Sequence, residues 1–340
     1  MVMNAEAKIV ESALTRIWDH EVVLSKCRPY KKKRLLRCMA ESHPSGIPTE
    51  FLVKLPRSST SEGFDSETDV PETPIWKARN EAAALTFLAD CLQESFPSPR
   101  LLGFDEDSGI MAFEFIQRVK TFRDLMRAQS KDLEDAFVAY ARTMASVHGM
   151  TYGMYDSWSA IRYGETRLPC LTAHGRKQDS LSGAVMSELD EISDTLSQTN
   201  VMSLLHIDRA PQNYLWGKHG IALVDFEYST FGICPLDFAI RRSPFNDHRW
   251  SLPDEVVTKC ETEYETHFIS VTGITKERFR ILHLMAQVDN LLRQLPKSTA
   301  RLTSLTEIAT IKIREVAASC RNFGLYPGVA AWLVDQTKEV

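Results

Sequence analysis

Between Leu205 and Glu227 the chain sets a carboxylate at Asp208, a carboxamide at Asn213 and a second carboxylate at Asp225. Moving a phosphoryl group takes little covalent chemistry from a protein. It needs a carboxylate to accept the proton of an attacking hydroxyl, and hard oxygen ligands to hold Mg²⁺ against the phosphates. Asp208 suits the base, and Asn213 and Asp225 suit the metal. The residues between them supply the geometry. Asn213-Tyr214-Leu215-Trp216 reads as a strand, Gly217-Lys218-His219-Gly220 as a turn, and Ile221-Ala222-Leu223-Val224 as the returning strand. Such a hairpin carries Asp225 back to Asn213, so that both reach one ion. His206 reads as a buried imidazole that orients the loop, because the base role is already filled.

The elements that must position these groups follow from the apolar patterning. Ile9, Val10, Leu14 and Ile17 recur at helical spacing, which predicts an amphipathic helix over Ala5 to Trp18. Val22 to Met39 reads as two strands about a basic connection, and Phe51 to Leu55 as a third. Pro56 to Pro74, rich in Ser, Thr, Asp, Glu and Pro, reads as a surface insertion. Trp76 to Leu92 is helical and Ile110 to Ile116 is a strand. Helical pattern dominates afterwards, over Lys131 to Val147 and from Pro253 through Cys320. Strands early and helices late predict an α+β protein.

His206-x-Asp208-x-x-x-x-Asn213 followed by Asp225-Phe226-Glu227 resembles the aminoglycoside phosphotransferase and choline kinase superfamily, small-molecule relatives of the protein kinases. Other landmarks stand in that family's order between about Phe51 and Arg241. Phe51-Leu52-Val53-Lys54 is similar to the strand that carries a phosphate-gripping lysine. Arg79-Asn80-Glu81-Ala82-Ala83-Ala84-Leu85 is similar to the next helix, whose glutamate pairs with it. Phe96 to Gly103 resembles the proline-containing connection before the hinge, and Leu236-Asp237-Phe238-Ala239 the segment that braces the catalytic loop. The resemblance implies a bilobal protein-kinase-like fold. A β-rich nucleotide-binding lobe would span residues 1–117, and a mostly helical catalytic and substrate-binding lobe residues 118–340. It further implies ATP and Mg²⁺, Lys54 on the phosphates held by Glu81, and adenine against backbone near Glu114 and Ile116.

One departure from the family pattern stands out. Where relatives place glycine over the nucleotide, this chain has Lys26-Cys27-Arg28-Pro29-Tyr30-Lys31-Lys32-Lys33-Arg34. These cations would either grip phosphate with side chains in place of a backbone nest, or form a solvated hairpin tip. A nucleic-acid or nuclear-localisation patch is a third reading, set against a net charge of −5.

Protein kinases follow their metal aspartate with a long activation segment. Here Asp225-Phe226-Glu227-Tyr228 reaches Leu236-Asp237 within one short loop, which implies a small alcohol as acceptor rather than a protein. Two alternatives stay open: a choline or ethanolamine kinase, to which Asp225-Phe226-Glu227-Tyr228 is similar, and a nucleotide-binding pseudokinase, suggested by the glycine-free segment.

The remaining composition sets bounds. Seven scattered Cys, an odd number with no C-x-x-C, read as reduced thiols. No apolar run is long enough for a bilayer, and Met1-Val2-Met3-Asn4-Ala5-Glu6 lacks the regions of a signal peptide, so a cytoplasmic enzyme is expected. The sequence assigns no oligomeric state.

Overall fold

Successive side chains of a strand point to opposite faces, and the early strands use that period to bury two different surfaces. The computed structural model of the protein describes residues 5–30, 32–56, 74–92, 97–160, 182–208, 210–234, 238, 252–294, 307–335 and 337. Within them, β1 (Val23–Tyr30), β2 (Lys32–Ser42), β3 (Glu50–Lys54), β4 (Leu101–Asp105) and β5 (Ile110–Glu114) form an antiparallel sheet in the order β1-β2-β3-β5-β4. Leu36 and Cys38, Phe51 and Val53, and Ile110 and Ala112 are buried on one face. There they pack with Val10, Ala13 and Leu14 of helix α1 (Ala5–Trp18). Residues of the opposite parity serve the other face. Met111 packs on Ala78 and Ala82 of helix α2 (Pro74–Leu92), while Leu35, Leu52 and Lys54 line a cavity. The strands, α1 and α2 thus fall close to where the apolar spacing puts them. Of the acidic and Ser-rich insertion, residues 57–73 lie outside the described residues, as does Asp237.

Helix α1 is fastened to β4 by side chains of its last turns. The Arg16 guanidinium forks onto Asp105, with Nε to Oδ1 at 3.3 Å and Nη2 to Oδ2 at 2.6 Å. Trp18 Nε1 donates to the Leu102 carbonyl at 3.0 Å. Burial alone would raise the Asp105 pKa, but the hydrogen bonds from Arg16 and Ser108 outweigh it and hold the carboxyl below its ordinary value. Gly103 sits between these two contacts, so close to the helix that a β-carbon there would stand 2.0 Å from Ile17 Cγ2.

A second, three-stranded sheet follows. Short β6 (Lys120–Thr121) leads into helix α3 (Phe122–Arg127), whose start is closed by a capping box between Thr121 and Asp124. Strand β6 pairs with β8 (Tyr214–Gly217), and β8 with β9 (Gly220–Leu223). The Gly217–Gly220 turn matches the predicted hairpin. Asn213 differs: it closes a 3₁₀ turn, Pro211–Asn213, instead of opening the strand. The fixed φ of Pro211 suits the first position of such a turn.

By contact the chain divides into two compact units. The first comprises Met1–Leu133, Trp158–Glu165 and His206–Ser229, so it extends past residue 117 and contains the whole Asp208–Asp225 segment. The second is mainly helical, with α4 (Leu133–Met150), α6 (Gly183–Leu196), α7 (Asp254–Thr272), α8 (Lys276–Gln294), α9 (Glu307–Phe323) and α10 (Pro327–Asp335); short α5 (Tyr155–Ser159) falls at a boundary. It also holds the pair β7 (Ser203–Leu205) and β10 (Thr230–Gly232). Its core includes Phe238 stacked on Tyr264 at 4.0 Å between ring centroids, with Phe268 and Phe279 beside them. The described residues are α+β, with most strands early in the chain and most helices late. No helix among the described residues is long and apolar enough to cross a membrane.

Gly103→Ala should cost about 1–3 kcal/mol, the range for overpacking a close contact, because Ile17 must leave its rotamer while Trp18 is held by Leu102. Urea unfolding of the two proteins measures it. A variant as stable as the parent would show that α1 rides loosely on β4.

Candidate active site

Lys54 ends β3 on the cavity face, where its ammonium is almost wholly removed from water. Burying such a charge costs several kcal/mol unless partners replace its hydration. Two carboxylates do so: Glu81 Oε2 and Asp225 Oδ1 each lie 2.5 Å from Lys54 Nζ, and Glu227 Oε2 lies 3.8 Å away. Burial presses the Lys54 pKa down, but the charges of Glu81, Asp225 and Glu227 reverse the effect, so the ammonium is held above its ordinary value. The same burial acts on Glu81, together with its like-charged neighbours, and pushes its pKa up to about 7 despite Lys54. Among the described residues, acids outnumber cations here.

Helix α2 delivers Glu81 because its Ala82-Ala83-Ala84 run is both a good helix former and small enough for close approach to the sheet. The neighbouring Asn80, fully buried, donates from Nδ2 to the carbonyls of Glu227 at 3.3 Å and Ser229 at 2.9 Å. One turn of α2 therefore holds both the lysine's partner and the backbone after Asp225. Lys77 adds a hydrogen bond to the Tyr228 hydroxyl at 2.9 Å.

The loop bearing Asp208 is tied to the segment bearing Asp225, just past β9, at two levels. The buried His206 ring bonds from Nε2 to the Val224 carbonyl at 2.9 Å, and since a carbonyl only accepts, Nε2 carries the proton. Phe226 packs edge-on to that ring at 4.6 Å. The Val224 amide donates to the Asn213 carbonyl at 3.0 Å. The ring is buried, as expected of it from the sequence. Asp208 accepts the Ala210 amide on Oδ1 at 3.1 Å, and the Asn213 side-chain amide donates to the Asp208 carbonyl at 3.4 Å. Two non-glycine residues here are left-handed, Ile207 at φ +65° and Asp225 at φ +72°. Aspartate tolerates this region, whereas for a β-branched residue it is strained.

A cavity of about 200 Å³ in the first unit gathers Lys54, Glu81, Glu114, Ile116, Asn213 and Asp225 on its walls. Leu35, Leu52, Leu85, Phe113, Val119, Leu215 and Phe226 complete a mostly apolar lining. Asp208 is not on those walls; it meets the site through Asn213. The Glu114 amide already donates to the Arg100 carbonyl at 2.9 Å.

Two residues join the site that spacing did not single out. Glu227, buried, places a carboxylate within 4.8 Å of those of Glu81 and Asp225. Arg34 directs Nη2 to Glu227 Oε2 at 3.2 Å and to Asp225 Oδ1 at 3.6 Å. Glu227 was legible as the third residue of Asp225-Phe226-Glu227, but nothing in the sequence marks its burial. Arg34 closes the basic run. Lys31 and the side chains of Lys32 and Lys33 lie outside the described residues.

A buried lysine–glutamate pair, a carboxylate cluster and an adjoining apolar cavity on an antiparallel sheet are the kind of groups phosphoryl transfer calls for. The sequence comparison agrees: the model of the phosphotransferase enzyme family matches residues 50–254, more than half of the chain, and the chain belongs to that family. No curated protein matches its sequence. Among solved structures it is similar to a choline kinase from Streptococcus pneumoniae, with 13% identity over 94% of this chain and 100% of that one at a TM-score of 0.42. It is also similar to a choline kinase from Cryptosporidium parvum Iowa II, with 12% identity over 96% and 99% at 0.45. A spectinomycin phosphotransferase shows 12% identity over 100% of both chains at 0.40.

Ile207→Asn should stabilise the protein by about 1 kcal/mol, since asparagine accepts left-handed backbone and a side chain that is 42% exposed surrenders little burial. Equilibrium unfolding in urea tests this, and a lower midpoint would mean that Ile207 contributes more by packing than it costs in strain.

Proposed function

We propose that this chain is a cytoplasmic phosphotransferase that moves the γ-phosphoryl group of ATP, with Mg²⁺, onto a hydroxyl of a small molecule. The observation that supports this most is the meeting of Lys54 with Glu81 and Asp225, each at 2.5 Å, beside a cavity with apolar walls. Such a cavity suits a planar base at its apolar part and a polyphosphate at its charged part. Glu114 and Ile116 line it where the adenine edge would meet backbone. On this reading residues 1–117 serve the nucleotide, and residues 118–340 serve catalysis and the acceptor.

The donor set fits magnesium. Carboxylates of Asp225 and Glu227 and the carboxamide of Asn213 are hard oxygen ligands, and the acidic cluster carries more negative than positive charge. Mg²⁺, when bound, neutralises charge on the phosphates. Asp208 orients the acceptor hydroxyl and takes its proton as that oxygen bonds to the γ-phosphorus. The bond from the γ-phosphorus to the β-phosphate oxygen breaks, and ADP leaves. Lys54, steadied by Glu81, sets its ammonium against the α- and β-phosphates. The short stretch from Tyr228 to Leu236 favours a small alcohol over a peptide as acceptor. A nucleotide-binding protein without turnover is the second reading, favoured by one feature: residues 23–42 contain no glycine.

Asp208→Asn should leave folding intact and slow transfer by roughly 10²–10⁴, the contribution of a positioned general base. Turnover of ATP with a panel of small alcohols measures this, and a wild-type rate in the variant would remove Asp208 from the base role. Wild-type protein that binds Mg·ATP yet turns over with no alcohol would favour the second reading.

Asp225→Ala should abolish magnesium-dependent activity more completely than Asp208→Asn, because the phosphates lose an anionic metal ligand. Titrating Mg²⁺ against rate for both variants decides it. An unchanged magnesium dependence would exclude Asp225 from the metal site.

A further inference from the structure

Nucleotide-binding hairpins that use glycine converge backbone N–H groups on phosphate, which requires conformations that side chains obstruct. In this protein that route is closed. Strands β1 and β2 pair from Val23 with Ser42 to Tyr30 with Lys32, and no residue between them is glycine. Extended backbone points successive amides to opposite sides and so gathers no nest, even though edge strand β1 spends only part of its amides on the ladder, and it presents side chains instead. Phosphate charge must then be met by a side chain.

Arg34 is the described cation of this hairpin that reaches the site. It lines the same cavity as Lys54, and its side chain is 23% exposed. Its Nη2 is 3.2 Å from Glu227 Oε2 and 3.6 Å from Asp225 Oδ1, the oxygen that also receives Lys54 Nζ at 2.5 Å. Two cations therefore converge on one carboxylate oxygen. The Arg34 backbone is fixed as well, because its carbonyl accepts the Leu55 amide at 2.8 Å and Leu35 pairs with Lys54. A guanidinium held beside the lysine offers several N–H donors in a planar fork that matches phosphate oxygens.

We propose that Arg34 is a phosphate-binding residue that replaces the missing glycine nest, and that it rests on Asp225 and Glu227 until metal and nucleotide arrive. The inference rests on the reading of the site given above. Three carboxylates share the charge of Lys54 and Arg34 in the structure. A divalent cation at Asp225 and Glu227 competes directly with the guanidinium for the same oxygens. Released from them, Arg34 stays within the cavity, next to the triphosphate that accompanies the metal. The same residue thus opposes metal alone and favours metal with nucleotide.

Those opposite signs make the test. Binding is measured by calorimetry on the full chain for wild type, Arg34→Gln and Arg34→Lys, with three probes: Mg²⁺ with a non-hydrolysable ATP analogue, adenosine, and Mn²⁺ without nucleotide. Arg34→Gln should weaken the analogue by about 10- to 100-fold, the loss expected for hydrogen bonds between charged groups. It should leave adenosine within about twofold and tighten Mn²⁺ alone severalfold, because the competing cation is gone. Arg34→Lys keeps a charge without the fork and should fall between the two. Added salt should erode the wild-type analogue affinity more steeply than that of Arg34→Gln. Analogue binding unchanged in Arg34→Gln would overturn the proposal while leaving the site reading intact. Equal losses for analogue and adenosine would also overturn it, since they mark a distorted cavity. Wild-type protein that binds neither analogue nor adenosine would overturn the site reading itself, and the proposal with it.

Discussion

The buried ammonium of Lys54 sets the terms for its unit. A charge removed from water must be met by opposite charge at contact distance, and the chain meets it with carboxylates from two separate elements. That demand fixes α2 against the sheet so that Glu81 arrives, and fixes the β8–β9 hairpin so that Asp225 returns. The surrounding devices serve the same end. Asn80 clasps the carbonyls of Glu227 and Ser229, and the His206 ring bonds to Val224. Each contact limits how far a carboxylate can drift from the lysine. A core of apolar groups would tolerate small shifts; an array of short charged contacts tolerates few.

Concentrating negative charge has an electrostatic cost, which the site moderates with Arg34. Burial raises the pKa of Glu81, and repulsion from Asp225 and Glu227 adds to it. An excess of carboxylate over cation is poor design for stability alone but fits the proposed role of attracting a divalent ion. The left-handed backbone at Ile207 belongs to the same pattern, local strain kept beside the candidate site groups by a surrounding fold that over-determines it.

Much of this was readable in the residues. The helix of Ala5–Trp18 follows from four apolar positions, and the Tyr214–Leu223 hairpin from two glycines between alternating strands. Lys54 announces itself as a charge at the end of an apolar strand, and Glu81 through the resemblance of Arg79–Leu85 to the family's helix. Arg34 and Glu227 do not. An arginine at the end of a basic run has the pattern of a solvated tip, and its partners stand 193 residues away for Glu227, a separation that no local spacing encodes. Burial of Glu227 depends on Asn80 and on the sheet, which is a tertiary fact. The strain at Ile207 was equally hidden, since isoleucine is the residue least expected at positive φ.

The first unit is assembled from three separate stretches of chain, Met1–Leu133, Trp158–Glu165 and His206–Ser229, and this bears on how the protein is made. Lys54 meets Glu81 across only 27 residues, but Asp225 lies 171 residues beyond the lysine. At ribosomal speeds of about 5–20 residues per second, roughly 10–30 s pass between them. Throughout that interval the nascent sheet holds a lysine and a glutamate without their third partner, and α2 lacks the backbone that Asn80 clasps. Completion of this unit therefore waits on a late segment, and chains stalled before residue 206 should present an open, half-charged sheet face to the cell's quality control.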